Sequence, residues 1–172
     1  MINKYVKSLL LVSLTVGLVF IVACSMEKNV RTEAFDLFKE EISSNEIIDE
    51  MEIKFLRPSL YISFITTKEF KDEDVQKIID KLRPVINTNH MQEIANRYWE
   101  KDTKIASVHI YFYDGNIDKN DTQKNLKYNI FTSYYKTKFV EEDPSNIDAY
   151  STWFVELDGK EYQIEDYLDQ SY

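Results

Sequence analysis

From Ile47 to Phe55 the chain alternates. Ile47, Asp49, Met51, Ile53 and Phe55 share one side, and Glu50, Glu52 and Lys54 share the other. A period of two marks a strand with one face against a core. Arg57-Pro58-Ser59 breaks the run and residues 60–66 resume it, which predicts two strands joined by a tight turn. The period then becomes helical. Val75, Ile78, Ile79 and Leu82 recur at i, i+3, i+4 and i+7 within residues 69–83, and Pro84 ends the segment by forcing Arg83 toward extended geometry. A second helix is expected from about Asn89, with Gln92 as capping partner, through Met91, Ile94, Ala95 and Tyr98 to Trp99. Upstream, residues 32–43 carry a stripe of Ala34, Leu37, Phe38 and Ile42 behind a capping Thr32.

The last third reads as strands. Residues 105–113 and 126–139 flank a polar loop, and the acidic break Glu141-Glu142-Asp143-Pro144 leads to residues 150–157. Asp158-Gly159 is a hairpin signal, so residues 160–164 should pair back, while the acidic tail from Glu165 to Tyr172 should fray. The order describes one α+β domain: an antiparallel sheet of about five to six strands with helices packed on one face.

Parity gives that sheet two unlike faces. Leu60, Ile62, Phe64, Val108, Ile110 and Phe112 belong under the helices, whereas Tyr61, Ser63, His109, Tyr111 and Tyr113 point the other way. Parity alone does not orient the later strands, where Tyr128, Ile130, Thr132 and Tyr134 share one side and Tyr150, Thr152 and Phe154 another. Tyrosine offers large contact area at low entropy cost and can hydrogen-bond, so Tyr61, His109, Tyr111 and Tyr113 are candidate binding residues for a protein or cell-wall partner. The competing expectation is that the rings only cover the outer face by cross-strand pairing.

The N-terminus changes the picture most. Residues 8–26 carry no charge, Lys4 and Lys7 precede them, and the segment closes on Ile21-Val22-Ala23-Cys24 with the chain's only cysteine. A basic flank, a short apolar stretch and a small-residue close are the layout of an export signal. This arrangement resembles the lipobox of bacterial lipoprotein precursors. The resemblance implies that residues 1–23 are a signal peptide cut before Cys24. It also implies that the Cys24 thiol carries a diacylglyceryl group and that the chain is held on the outer face of the cell membrane. Residues 24–31 would then be lipidated cysteine and tether, and residues 32–172 the single globular domain. The alternative is an uncleaved anchor helix, since nineteen residues at about 1.5 Å each just span a bilayer core of about 30 Å. Either way Lys4 and Lys7 hold the N-terminus inside and the domain outside.

Composition narrows the chemistry. With the leader removed, nineteen basic residues face thirty acidic ones, a formal charge of −11, which disfavours nucleic acid as a partner. Only Gly115 and Gly159 remain, too few for a phosphate-cradling loop, so nucleotide binding is not expected either. No thiol is left to pair after Cys24. The Asp-rich stretch 114–121 lacks the Gly and Glu that a calcium loop needs at its sixth and twelfth positions and reads as a turn. His90 reads as a surface residue by a helix start and His109 as a strand residue among tyrosines. With two histidines on separate elements, no metal site, cofactor or nucleophilic triad is expected. The sequence therefore points to a lipid-anchored binding module. An immunity-like or inhibitor protein neutralising a basic partner is the second reading, and an envelope hydrolase using paired carboxylates the third.

Overall fold

In the computed structural model, which describes residues 27–43, 47–118, 121–137, 143–157 and 159–168, the alternating segments build one seven-stranded sheet. The strands lie side by side in chain order: β1 Lys28–Asn29, β2 Glu50–Leu56, β3 Ser59–Thr66, β4 Ser107–Asp114, β5 Leu126–Ser133, β6 Trp153–Leu157 and β7 Lys160–Gln163. The α+β class holds, with slightly more strands than the pattern predicts. One addition is β1, two polar residues of the segment read as tether, which pair with Lys54 and Phe55. A two-residue polar strand has no alternation to detect.

Every neighbouring pair is antiparallel except the central one, β3 with β4. Parallel neighbours need a long crossover. Residues 67–106 supply it with α2 Asp72–Leu82 and α3 Thr88–Tyr98. Both helices join α1, Glu33–Ser43, in covering one face. Leu60, Ile62, Phe64, Val108, Ile110 and Phe112 are fully buried in one cluster with Phe35 and Phe38 of α1, Val75, Ile78, Ile79 and Leu82 of α2, and Met91 and Ile94 of α3.

Several ends differ from expectation for local reasons. Arg83, expected to turn extended before Pro84, keeps helical angles of −50° and −48° and its amide donates to the Ile79 carbonyl. The cap of α3 is Asn87, whose side chain accepts from the amides of Asn89 and His90 at 3.1 Å, so the helix starts before Asn89. His90, expected at the surface, is buried. Its Nδ1 lies 2.9 Å from the Val85 carbonyl and must donate to it, which leaves Nε2 to accept from the Thr32 hydroxyl at 2.8 Å. Thr32 Oγ1 in turn accepts from the Phe35 amide, so one imidazole ties the start of α1 to α3. Strand β6 begins at Trp153 and not at Tyr150, because Ala149 and Tyr150 take left-handed backbone angles of 55° and 64°. The buried Tyr150 donates its hydroxyl to the Ile105 carbonyl at 2.6 Å instead. β6 and β7 pair back as expected, with Leu157 opposite Lys160 and Gly159 at a φ of 72°, while Asp158 lies outside the described residues. Beyond β7 the described part of the tail is helical: α4, Ile164–Leu168, buries Ile164 and pairs Glu165 with Arg83 at 2.6 Å, and residues 169–172 lie outside the described residues.

Phe112 sits at the centre of this core, against Phe64, Phe70 and Tyr128. Phe112→Ala should cost about 3–5 kcal/mol, a large part of the total stability of a domain this size, as read by urea denaturation.

Candidate functional site

The face opposite the helices is built by strand register alone. Asn29 pairs with Lys54, Lys54 with Tyr61, Tyr61 with His109, His109 with Phe131, Phe131 with Phe154, and Phe154 with Gln163. One residue from each of the seven strands thus forms a continuous row across the sheet. Its four middle members are aromatic and half-buried. Their planes are nearly parallel: Tyr61 and His109 at 5.2 Å and 13°, His109 and Phe131 at 6.1 Å and 29°, Phe131 and Phe154 at 5.4 Å and 22°. Such separations are those of offset stacking. Each ring covers its neighbour's face, and it is the ring edges that are left toward solvent.

A second row lies one level up: Glu52, Ser63, Tyr111, Asn129, Glu156 and Glu161. Tyr111 stacks on Tyr61 at 6.2 Å and meets Tyr113 edge-on at 6.1 Å. Burial, with the nearby charges of Tyr61, Tyr113 and Glu156, pushes the Tyr111 phenol up to about 12. Tyr113 shares the face but is 4 % exposed, so it props Tyr111 and offers no contact of its own. Asn129 donates from Nδ2 to Glu156 at 2.7 Å, and its shielded Oδ1 has no donor among the described residues.

Toward the other end of the strands the face deepens into a groove of about 660 Å³. His109, Phe131 and Phe154 line it with Ser107, Ser133, Asp148 and Glu161. On its floor Ser59 Oγ meets Ser107 Oγ at 2.8 Å, and Ser107 Oγ meets His109 Nε2 at 3.0 Å. A serine on an imidazole is half of a nucleophile–base arrangement. Here Asp148, a carboxylate lining the same groove, is turned to Thr152, accepting from its amide and its hydroxyl at 2.8 Å each. The chain of hydroxyls fixes the orientation of the His109 ring within the stack.

The four binding candidates read from sequence therefore share one face, three half-exposed and Tyr113 beneath them. Sequence reading missed Phe131, Phe154, Asn129 and the Ser59–Ser107 pair. A signal for Phe131 existed: in β5 the parity Lys127, Asn129, Phe131, Ser133 is polar but for that one ring, which marks it as an aromatic on a solvent face. Tyr128 lies on the helix side, where it donates its hydroxyl to Asp72 and burial raises its pKa.

Other clusters serve the fold. Among the described residues three carboxylates have shifted pKa values, and all are pulled down: Asp49 by the Thr67 amide, Glu69 by Lys127 and Asp143 by Ser145. A carboxyl acting as catalytic acid needs the opposite shift. In the Asp-rich loop, Asp121 accepts from the Gln123 amide as a turn-former and Asp118 pairs with Lys124 at 3.3 Å. Among the described residues no group of three His, Cys, Asp or Glu is placed to hold a metal ion, and no helix is long and apolar enough to cross a membrane. Cys24 and the whole leader lie outside the described residues. No family model, no curated protein and no solved structure matches the chain.

Tyr111 yields a test by pH. A phenol whose folded pKa stands above its unfolded value of 10.0 adds stability that is complete below that pH and is lost as pH climbs to about 12. The stability difference between the native chain and Tyr111→Phe should therefore be constant below pH 10.0 and shift toward the variant above it, as measured by denaturant unfolding across that range.

Proposed function

We propose that this chain is a lipid-anchored extracytoplasmic protein that acts by binding, with the helix-free face of its sheet as the docking surface. The observation that carries the binding half is the half-exposed row Tyr61, His109, Phe131 and Phe154. The rings lie contiguous on a rigid scaffold, away from the core that the helices cover. Contiguous apolar surface with polar groups around it is the usual make-up of an interaction site. The surrounding groups fit: hydroxyls of Tyr61 and Tyr111, the Ser59–Ser107 pair and the acids of β6 and β7.

The lipid half rests on the lipobox at Ile21 to Cys24 and gains support from how early the fold begins. Lys28 already pairs with Phe55, Val30 is buried, and Tyr98 and Arg97 both donate to the Arg31 carbonyl, at 3.2 and 3.0 Å. Four residue steps separate Cys24 from Lys28, a reach of at most about 14 Å. Lys28 enters at the end of the sheet where Ser59, Ser107 and Ser133 stand, the groove end. A diacylated Cys24 would hold that end close to the bilayer and present the groove to whatever lies on the membrane surface.

Two measurements test this. The N-terminal peptide from membranes should begin at Cys24 and carry the mass of its acyl groups, and Cys24→Ala should accumulate as uncut precursor; an unmodified peptide starting before Cys24 would sink the lipid anchor. Cross-linking on intact cells should give an adduct through the open face that Tyr61→Ser with Phe131→Ser abolishes while the melting temperature stays within a few degrees. Equal cross-linking by the variant would remove this face from the reading.

A further inference from the structure

We infer that the partner of the open face is a cationic polypeptide segment, an inference that rests on that face being the binding surface. The aromatic row is bracketed by carboxylates on both flanks. Glu50 and Glu52 stand on β2, and Glu156 and Glu161 on β6 and β7, paired across the sheet with each other. The one lysine of this bracket, Lys54, is already committed, 2.9 Å from Glu52 and 3.2 Å from Glu27, and these partners raise its pKa. Among the described residues Glu50, Glu156 and Glu161 have no ion-pair partner. Between the flanks Asn129 Oδ1, shielded from solvent, has no donor among the described residues. The groups left unsatisfied are thus acceptors, on both sides of the rings.

A surface of that kind calls for donors. Lysine or arginine side chains reaching outward to the two flanks would meet Glu50 and Glu52 on one side and Glu156 and Glu161 on the other. Apolar side chains between them would rest on the ring edges of Tyr61, His109, Phe131 and Phe154. A polyanion is repelled by the same flanks. A neutral saccharide gains most by lying on ring faces, which here are turned to one another in the stack. Charge complementarity of this type speeds encounter and sets specificity more than it adds affinity.

The probes are three fluorescein-labelled peptides of equal apolar content in which every second residue is Lys, Glu or Ser. Each is titrated by fluorescence polarisation into the full mature chain in neutral detergent. The Lys peptide should bind tightest and weaken as salt is raised. Glu156→Gln with Glu161→Gln should weaken it roughly three- to thirty-fold, since each exposed pair contributes about 0.2–1 kcal/mol and adjacent pairs reinforce one another. Glu40→Gln with Glu93→Gln removes the same charge from the helix side and should leave binding nearly unchanged. If the two double variants weaken the Lys peptide alike, attraction is general to the acidic chain and the inference is overturned. If the three peptides bind alike and Tyr61→Ser weakens all of them, the cationic partner is overturned while the face remains a binding surface. If none binds, the inference also falls, and the intact-cell cross-link decides the face separately.

Discussion

The parallel pairing of β3 and β4 is the constraint on which the rest of this structure depends. Two parallel neighbours at the centre of a sheet cannot be joined by a turn, so forty residues must cross from the end of one strand to the start of the next. Those residues form α2 and α3 and lie, with α1, on a single side. Their apolar stripes bury Leu60, Ile62 and Phe64 of β3 and Val108, Ile110 and Phe112 of β4 completely. With the hydrophobic faces of three helices matched to one face of the sheet, none remains for the other. The uncovered face must then stabilise itself by side-chain pairing across strands, which is what the stacked row from Tyr61 to Phe154 does.

That division was legible in the sequence wherever alternation was clean. In β3 and β4 the even positions are aliphatic or Phe until the strands end at Thr66 and Asp114, and the odd ones are Tyr, Ser or His, with Ile65 the exception; so two faces, and which one meets the helices, follow from parity. The direction of β4 did not follow. Alternation is the same whichever way a strand runs, and a helix pair between two strands is compatible with either sense. Nor could the order of side chains across the sheet be read, because it depends on register, which only the turns and bulges set. His90 misled for a related reason: a polar residue near a helix start reads as exposed, and only the packed chain shows Thr32 and Val85 waiting on its two nitrogens. Tyr150 and Trp153 likewise sit in a strand-like string, yet the left-handed backbone of Ala149 and Tyr150 keeps Tyr150 out of the strand.

The same register explains why the candidate site is more than a count of tyrosines. Tyr61 and His109 are forty-eight residues apart in sequence and Phe131 and Phe154 come from two further strands, yet one row of the sheet aligns all four. The row also fixes the charges around it. Glu156 and Glu161 oppose one another on β6 and β7, where like charges directly across a pair cost stability. At the other edge Glu52 has Lys54 as a neighbour and is relieved. The β6–β7 flank is relieved only in part, by the Asn129 amide on Glu156.

A like-charge pair only partly relieved, beside an uncovered aromatic row, is a local conflict, and local conflicts concentrate where function opposes stability. On the helix side the chain meets its charges from within: Arg83 reaches Glu165 and lies over the Trp153 ring, and Tyr128 meets Asp72. Glu161 could have been met the same way, since Lys160 is its neighbour in sequence, but alternation sends the lysine to the opposite face. The arrangement of β7 therefore keeps the negative charge on the aromatic side and removes the positive charge from it. A chain selected for stability alone gains by the reverse order, Glu-Lys in place of Lys-Glu. A chain selected to hold a donor-bearing partner against those rings gains by the order it has.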